Sequence, residues 1–219
     1  MPPEPTYWGS VADVAGALLY LGTFSFLGGC GKSSTPATNR HQDSIIAVNV
    51  RAVIVAPDEK TARVRETASI NDMQKASDWW KVHAGIKLSW NFEHDLSGTN
   101  SKVVVTGQDD FRDVDRVIDK FRGGTDPDPV IVFGVEIDDK GRPTSAITRS
   151  RRGIVAYQPT AETITHEFGH ILLRDDTHDD DHPENIMHSG EGRAAFATVD
   201  LTQEQINRAR NNFANYPRD

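Results

Sequence analysis

The sequence predicts an α+β fold: a twisted mixed sheet, a histidine-bearing helix late in the chain, and a C-terminal helix. Three observations predict it. Short β-branched runs and helical periodicities are mixed along residues 45–157, so the sheet is interleaved with helices. An apolar helical stretch at 161–173 follows the last strand pattern. A long acidic loop then leads to a capping-box sequence and a closing helix.

Taken in order, 45–56 (IIAVNVRAVIVA) is β-branched with polar residues interleaved, a first strand that Pro57 and Asp58 end. Residues 69–83 place Ile70, Met73, Ser77 and Trp80 on one helical face, with Ser69 as N-cap and Gly85 as the stop. Within it, Trp79-Trp80 reads as core plus a partly exposed platform. The alternating 86–92 and the short 102–106 are strands. In 109–121, Phe111, Val114, Val117, Ile118 and Phe121 recur at helical spacing until Gly123-Gly124. The nearly continuous apolar run 130–137 (VIVFGVEI) predicts one central strand buried on both faces. After the turn at 138–141, residues 144–157 supply one or two more strands ending in GIVAY. Tyr157, the last of these, lines a cleft or joins the core. Thr160 introduces the helix 161–173, residues 174–197 are loop, and Thr202 with Gln205 opens the last helix.

The chain has 219 residues, 37% hydrophobic and 26% charged, enough for one globular domain plus an extension. A net charge of −8 without a basic run excludes a nucleic-acid protein, which needs a basic face for phosphates. The single cysteine, Cys30, excludes an intrachain disulfide and a thiolate metal cluster.

The chemistry is concentrated in His166-Glu167-Phe168-Gly169-His170. Residues four apart lie one above the other on a helix, so both imidazoles can reach one ion at the ~2.0–2.1 Å that zinc requires. Glu167, about 100° further round the helix, stands beside that ion without bonding it. There it can take a proton from a water the metal has acidified and pass it to a leaving amine, the H-E-x-x-H mechanism. The opposite face (Ile164, Phe168, Ile171, Leu172) is apolar, as a core-packed helix requires. The bland alternative is two surface histidines on an ordinary helix.

Two imidazoles are not a complete zinc site. The run from His166 resembles the metzincin clan of zinc peptidases, whose motif is H-E-x-x-H-x-x-G-x-x-H or ends in Asp. That resemblance implies a zincin-like fold with an active-site helix, a Zn2+ cofactor and a protein or peptide substrate. It also implies Asp176 as third ligand; His178, two residues beyond, is a chemically good ligand and the alternative, with Asp175 behind both. Asn185-Ile186-Met187-His188 is similar to the clan's Met-turn, which implies that Met187 packs beneath the ligand imidazoles. GIVAY would then form the upper edge of the substrate cleft. Leu173 stands where the clan has glycine, so the helix runs on or the turn is made differently. The clan's tyrosine after the methionine is also missing; His188 and Ser189 stand there, and His188 is either an oxyanion-stabilising group or a surface residue. The acidic run Asp175, Asp176, Asp179, Asp180 and Asp181 reads as a solvated loop or as an additional Ca2+ site.

Residues 1–30 are a signal or lipoprotein segment, or an N-terminal helix. The uncharged stretch 14–29 suits a secretory apolar region and ends in Leu27-Gly28-Gly29-Cys30, which resembles a lipoprotein box; this implies a lipid anchor through Cys30. The missing positive charge before it favours a packed helix instead. Residues 31–44 are a polar linker, and 45–219 form the metallopeptidase domain. Gly31-Lys32-Ser33 lacks the glycine five positions earlier that a phosphate-binding loop needs, Phe26 standing there. The functional expectation is an exported zinc peptidase. The alternatives are the same catalytic domain as a toxin or effector delivered to another cell, and a non-catalytic metal-binding protein.

Overall fold

The computed structural model describes residues 44–99, 101–106, 111–123, 128–149, 152–189 and 193–214. All belong to the compact unit spanning 39–219. The expectations for the apolar stretch 14–29, Cys30, Gly31-Lys32-Ser33 and most of the linker lie outside the described residues. Among the described residues no helix is long and apolar enough to cross a membrane.

Strands β1 (Ile46–Val55), β2 (Ile86–Asp95), β4 (Val130–Phe133), β7 (Ala146–Arg149) and β8 (Gly153–Ala156) form a sheet in the order β2-β1-β4-β8-β7. The first four in that order run parallel, and β7 closes one side antiparallel to β8. A smaller sheet joins β3 (Lys102–Val105), β5 (Glu136–Asp139) and β6 (Arg142–Thr144). The mixed sheet with a histidine-bearing helix and a C-terminal helix is the architecture the residue pattern predicted.

Alternation along the strands separates two cores, because successive side chains point to opposite faces. On one face Ala52, Ile54, Ile131, Phe133, Ile154 and Ala156 meet helices α1 (Glu59–Ala84), α3 (Ala161–Leu173) and α4 (Gln203–Ala214). On the other, Val53, Val55, Val130, Val132 and Val155 meet helix α2 (Arg112–Arg122).

Helix α1 begins at Glu59, capped by Asp58 accepting from the Thr61 amide, and that cap stands eleven residues before the predicted Ser69 cap. Its first turns bury only Ala62, and Val64 and Ile70 face solvent. A helix that is mostly wet carries no apolar period to read. Trp79 is buried and stacks on His83, so it belongs to the core and is no exposed platform. Trp80 is fully buried and donates its indole N–H to the Thr165 carbonyl, joining α1 to α3. The predicted strand 130–137 is two strands, because Gly134 takes φ +81° between them. A Cβ there would lie 2.4 Å from the Val55 carbonyl, so glycine is required.

GIVAY does not form a sheet edge. Its residues 153–156 are β8, buried and paired on both sides, and the outer strand is β7.

Candidate metal centre

Helix α3 starts at Thr160, whose hydroxyl accepts from the Thr163 amide. Ile164, Phe168, Ile171 and Leu172 enter the core, which leaves His166 and His170 side by side on the adjoining face, each 7% exposed. Buried imidazoles need partners. His166 Nδ1 lies 2.7 Å from the Ile186 carbonyl, and His170 Nδ1 lies 2.7 Å from the Asp175 carbonyl. A carbonyl only accepts, so His170 Nδ1 carries the proton and its Nε2 presents a bare lone pair. His166 Nδ1 faces both the Ile186 carbonyl at 2.7 Å and the Arg193 guanidinium, a donor, at 3.0 Å, and the shorter carbonyl contact favours the same tautomer.

Those two Nε2 atoms stand 3.2 Å apart, and His178 Nε2 lies 3.2 Å from that of His166. In that tautomer neither Nε2 has a proton to give, and the His166–His170 contact is a meeting of two lone pairs. Two facing lone pairs repel, and a cation between them would remove that cost. Ligand atoms ~2.0–2.1 Å from a tetrahedral metal stand roughly 3.3–3.4 Å from one another, so the observed separations fit such an ion. Among the described residues, His166, His170 and His178 are the group of side chains that could hold a metal.

Burial, with the positive Arg193 and the neighbouring imidazoles, lowers the His166 pKa to about 3, against the Ile186 hydrogen bond. Burial lowers His178 as well. Both shifts favour the neutral form that ligates.

Asp176, the first choice for the third ligand, is exposed and lies outside the cluster; His178, the alternative, completes it. The helix explains the difference. It continues through Leu173, and the left-handed turn falls on Arg174 (φ 52°, ψ 45°), one residue after the clan's glycine. The Asp179 amide then donates to the Met187 carbonyl, which fixes the chain beside His178. Asp175 takes part through its carbonyl, while its carboxylate accepts from Thr177 and pairs with Arg208. Asp179 is committed to His182 and Asn185, and Asp180 to the Ser189 amide. These carboxylates hold turns and do not converge on a second cation.

Asn185 organises the turn that follows. Its Oδ1 accepts from the Met187 amide, its carbonyl accepts from His188, and its Nδ2 donates to Asp179 and Gln205. Met187 is buried against α3, where a Cβ on Gly169 would meet its Sδ at 2.2 Å. His188 is buried with Nδ1 donating to the Ser189 carbonyl, so it is no surface residue.

Glu167 is half-buried, and Thr148 on β7 hydrogen-bonds to both its Oε2 and its carbonyl. Burial pushes the carboxyl up, opposed by the Thr148 bond and by His170. Sequence reasoning missed Thr148, which stands nineteen residues away on another element. It also missed Arg193, which donates to the Ile186 carbonyl and pairs with Glu162. No local pattern marks either residue.

No family model and no curated protein matches the sequence. Among solved structures, the chain is similar to metalloproteinase-II from Bacteroides fragilis, with 15% identity over 80% of this chain and 54% of that one, and a TM-score of 0.45. It is also similar to a chain from the structure of a chaperone–substrate complex, with 11% identity over 78% of this chain and 38% of that one, and a TM-score of 0.50. The chain therefore spans about half the length of the first and under two-fifths of the second. At such identities the likeness concerns the fold alone.

Proposed function

We propose that this chain is a zinc-dependent peptidase. The observation that carries the reading is the convergence of the Nε2 atoms of His166, His170 and His178, the first two 3.2 Å apart with each Nδ1 against a carbonyl. Three imidazole nitrogens are the protein donors of one type of catalytic zinc site, and His166, His170 and His178 would supply them here. When bound, zinc supplies Lewis acidity, polarising a carbonyl and making water a better nucleophile.

The chain's own residues supply the rest. His166, His170 and His178 hold the ion, and the Ile186 and Asp175 carbonyls orient the first two. Among the described residues β7 is the end strand of its sheet, and an extended peptide could add there as a further strand. Thr148, on that strand, steadies the Glu167 carboxylate. Glu167 accepts the proton released as water attacks the scissile carbonyl, then delivers it to the departing nitrogen. A C–O bond forms, the C–N bond breaks, and the proton ends on the amine.

Metal analysis and peptide-library cleavage on wild type and Glu167→Ala test the reading. The expected result is one zinc per chain in both proteins, with turnover reduced about 10²–10⁴-fold in the variant. Equal cleavage by the two proteins would sink the mechanism, and bound zinc without turnover would support a non-catalytic metal-binding protein. For the place of action we keep export through residues 1–30, with Cys30 as lipid anchor, against delivery as an effector. Fusing that segment to a reporter and assaying export and lipidation decides between them.

A further inference from the structure

Beside the start of β7 lies a cavity of about 260 Å3, lined by Lys102, Glu136, Asp138, Pro143, Thr144 and Tyr157 among others. Whole small-molecule ligands occupy roughly 300–1,000 Å3, so this volume suits a single long side chain.

The cavity stands at the rim of the sheet, next to the start of β7, the strand whose Thr148 holds Glu167. Ile131 and Phe133 point to the α3 side, whereas Val130, Val132 and Ile137 point to the α2 side. Glu136 and Asp138 flank Ile137 on the three-stranded sheet and point away from the α2 side, whereas Thr148 on β7 points to the α3 side and touches Glu167. The Tyr157 amide donates to the Ser145 carbonyl, joining the cavity to the residue that leads into β7. Thr144 precedes Thr148 by four residues, at most about 13 Å of extended chain. A peptide lying along β7 would therefore bring a residue three or four positions from the scissile bond to this cavity.

The lining says what that residue is. Lys102 Nζ stands 3.8 Å from Asp138, which offsets that carboxylate. Glu136 is exposed and its carboxylate has no partner among the described residues. The Tyr157 and Pro143 rings offer apolar surface for an aliphatic stem.

Resting on the peptidase reading, the geometry points to a substrate subsite for a lysine or arginine side chain, its stem on Tyr157 and Pro143 and its charge at Glu136. Glu136 is a specificity residue here and takes no part in bond breaking.

The test uses metal-loaded full chain and two sets of peptides that differ only at one position, Arg, norleucine or Glu, scanned three and four residues either side of the cleaved bond. Cleavage is measured on wild type, Glu136→Gln and Glu136→Lys. Binding of the same labelled peptides is measured by anisotropy on the Glu167→Ala background. Wild type should favour Arg over norleucine about three- to fivefold, the range of a partly exposed ion pair. Glu136→Gln should remove that preference, and Glu136→Lys should transfer it to the Glu peptide. Cleavage with no charge preference, or one that Glu136→Lys leaves in place, overturns the subsite and spares the peptidase reading. Charge-selective binding that follows residue 136, without cleavage by wild type, supports the subsite and overturns the peptidase. Neither binding nor cleavage overturns both.

Discussion

His178 and Asp176 stand two residues apart on one loop, yet only His178 reaches the other imidazoles. His178→Ala should therefore weaken zinc binding by more than the roughly 10–100-fold that follows loss of a ligand's outer partner, while Asp176→Ala leaves affinity unchanged. Chelator competition reads both, and the reverse ranking would remove His178 from the site. Gly169 makes a comparable demand. Its missing Cβ is the space that Met187 Sδ fills, and an added methyl would stand 2.2 Å from that sulfur. Gly169→Ala gains about 1 kcal/mol of helix propensity but forces overpacking that costs about 1–3 kcal/mol. The variant should be less stable in urea melts and should hold metal less tightly, because Met187 and the Ile186 carbonyl belong to one turn. Unchanged affinity would mean that Met187 moves without disturbing His166.

Helix α3 and the segment after it are joined by a turn whose left-handed residue is Arg174. That conformation costs an L-residue about 1–2 kcal/mol, of which glycine's extra freedom in the unfolded chain takes back about 0.4–1. Arg174→Gly should accordingly raise Tm by about 2–3 °C, given the usual shift per kcal/mol for a domain of this size. A lower Tm would show that the side chain contributes more than its backbone costs. Helix α1 was half legible: Met73, Ser77 and Trp80 declare the buried half, while the exposed turns from Glu59 onward show no period. Strands β4 and β5 read as one run because both are apolar. Only the positive φ at Gly134 divides them, and apolar content cannot signal a backbone angle.

The folded domain as a whole buries His166 in its neutral form, which couples stability to pH. Its pKa is about 3 when folded and 6.5 by reference. Between those values the unfolded chain takes up a proton that the folded chain refuses, so acidification favours unfolding and stability rises with pH. The metal-free protein should lose Tm progressively as pH falls from 6.5 towards 3, with His166→Asn flattening part of that slope. Zinc should stabilise the fold at neutral pH by about 2.7 kcal/mol when free metal is a hundredfold above Kd, seen as a higher Tm. A metal-free Tm independent of pH across this window would contradict the burial of neutral imidazole.

Some of this was decided by residues close together in the chain. His166 and His170 share a helical face because four residues make nearly a full turn, and the Thr160 cap, the apolar side of α3 and the mixed element order follow from equally short-range patterns. The third imidazole, the hold of Thr148 on Glu167 and the carbonyl that orients His166 join residues 12, 19 and 20 positions apart. Their meeting depends on where α3 stops, how the 174–189 segment folds back and which strand forms the sheet edge. These are matters of packing between elements, and a periodicity, which reports only the neighbours along one helix or strand, carries no record of them.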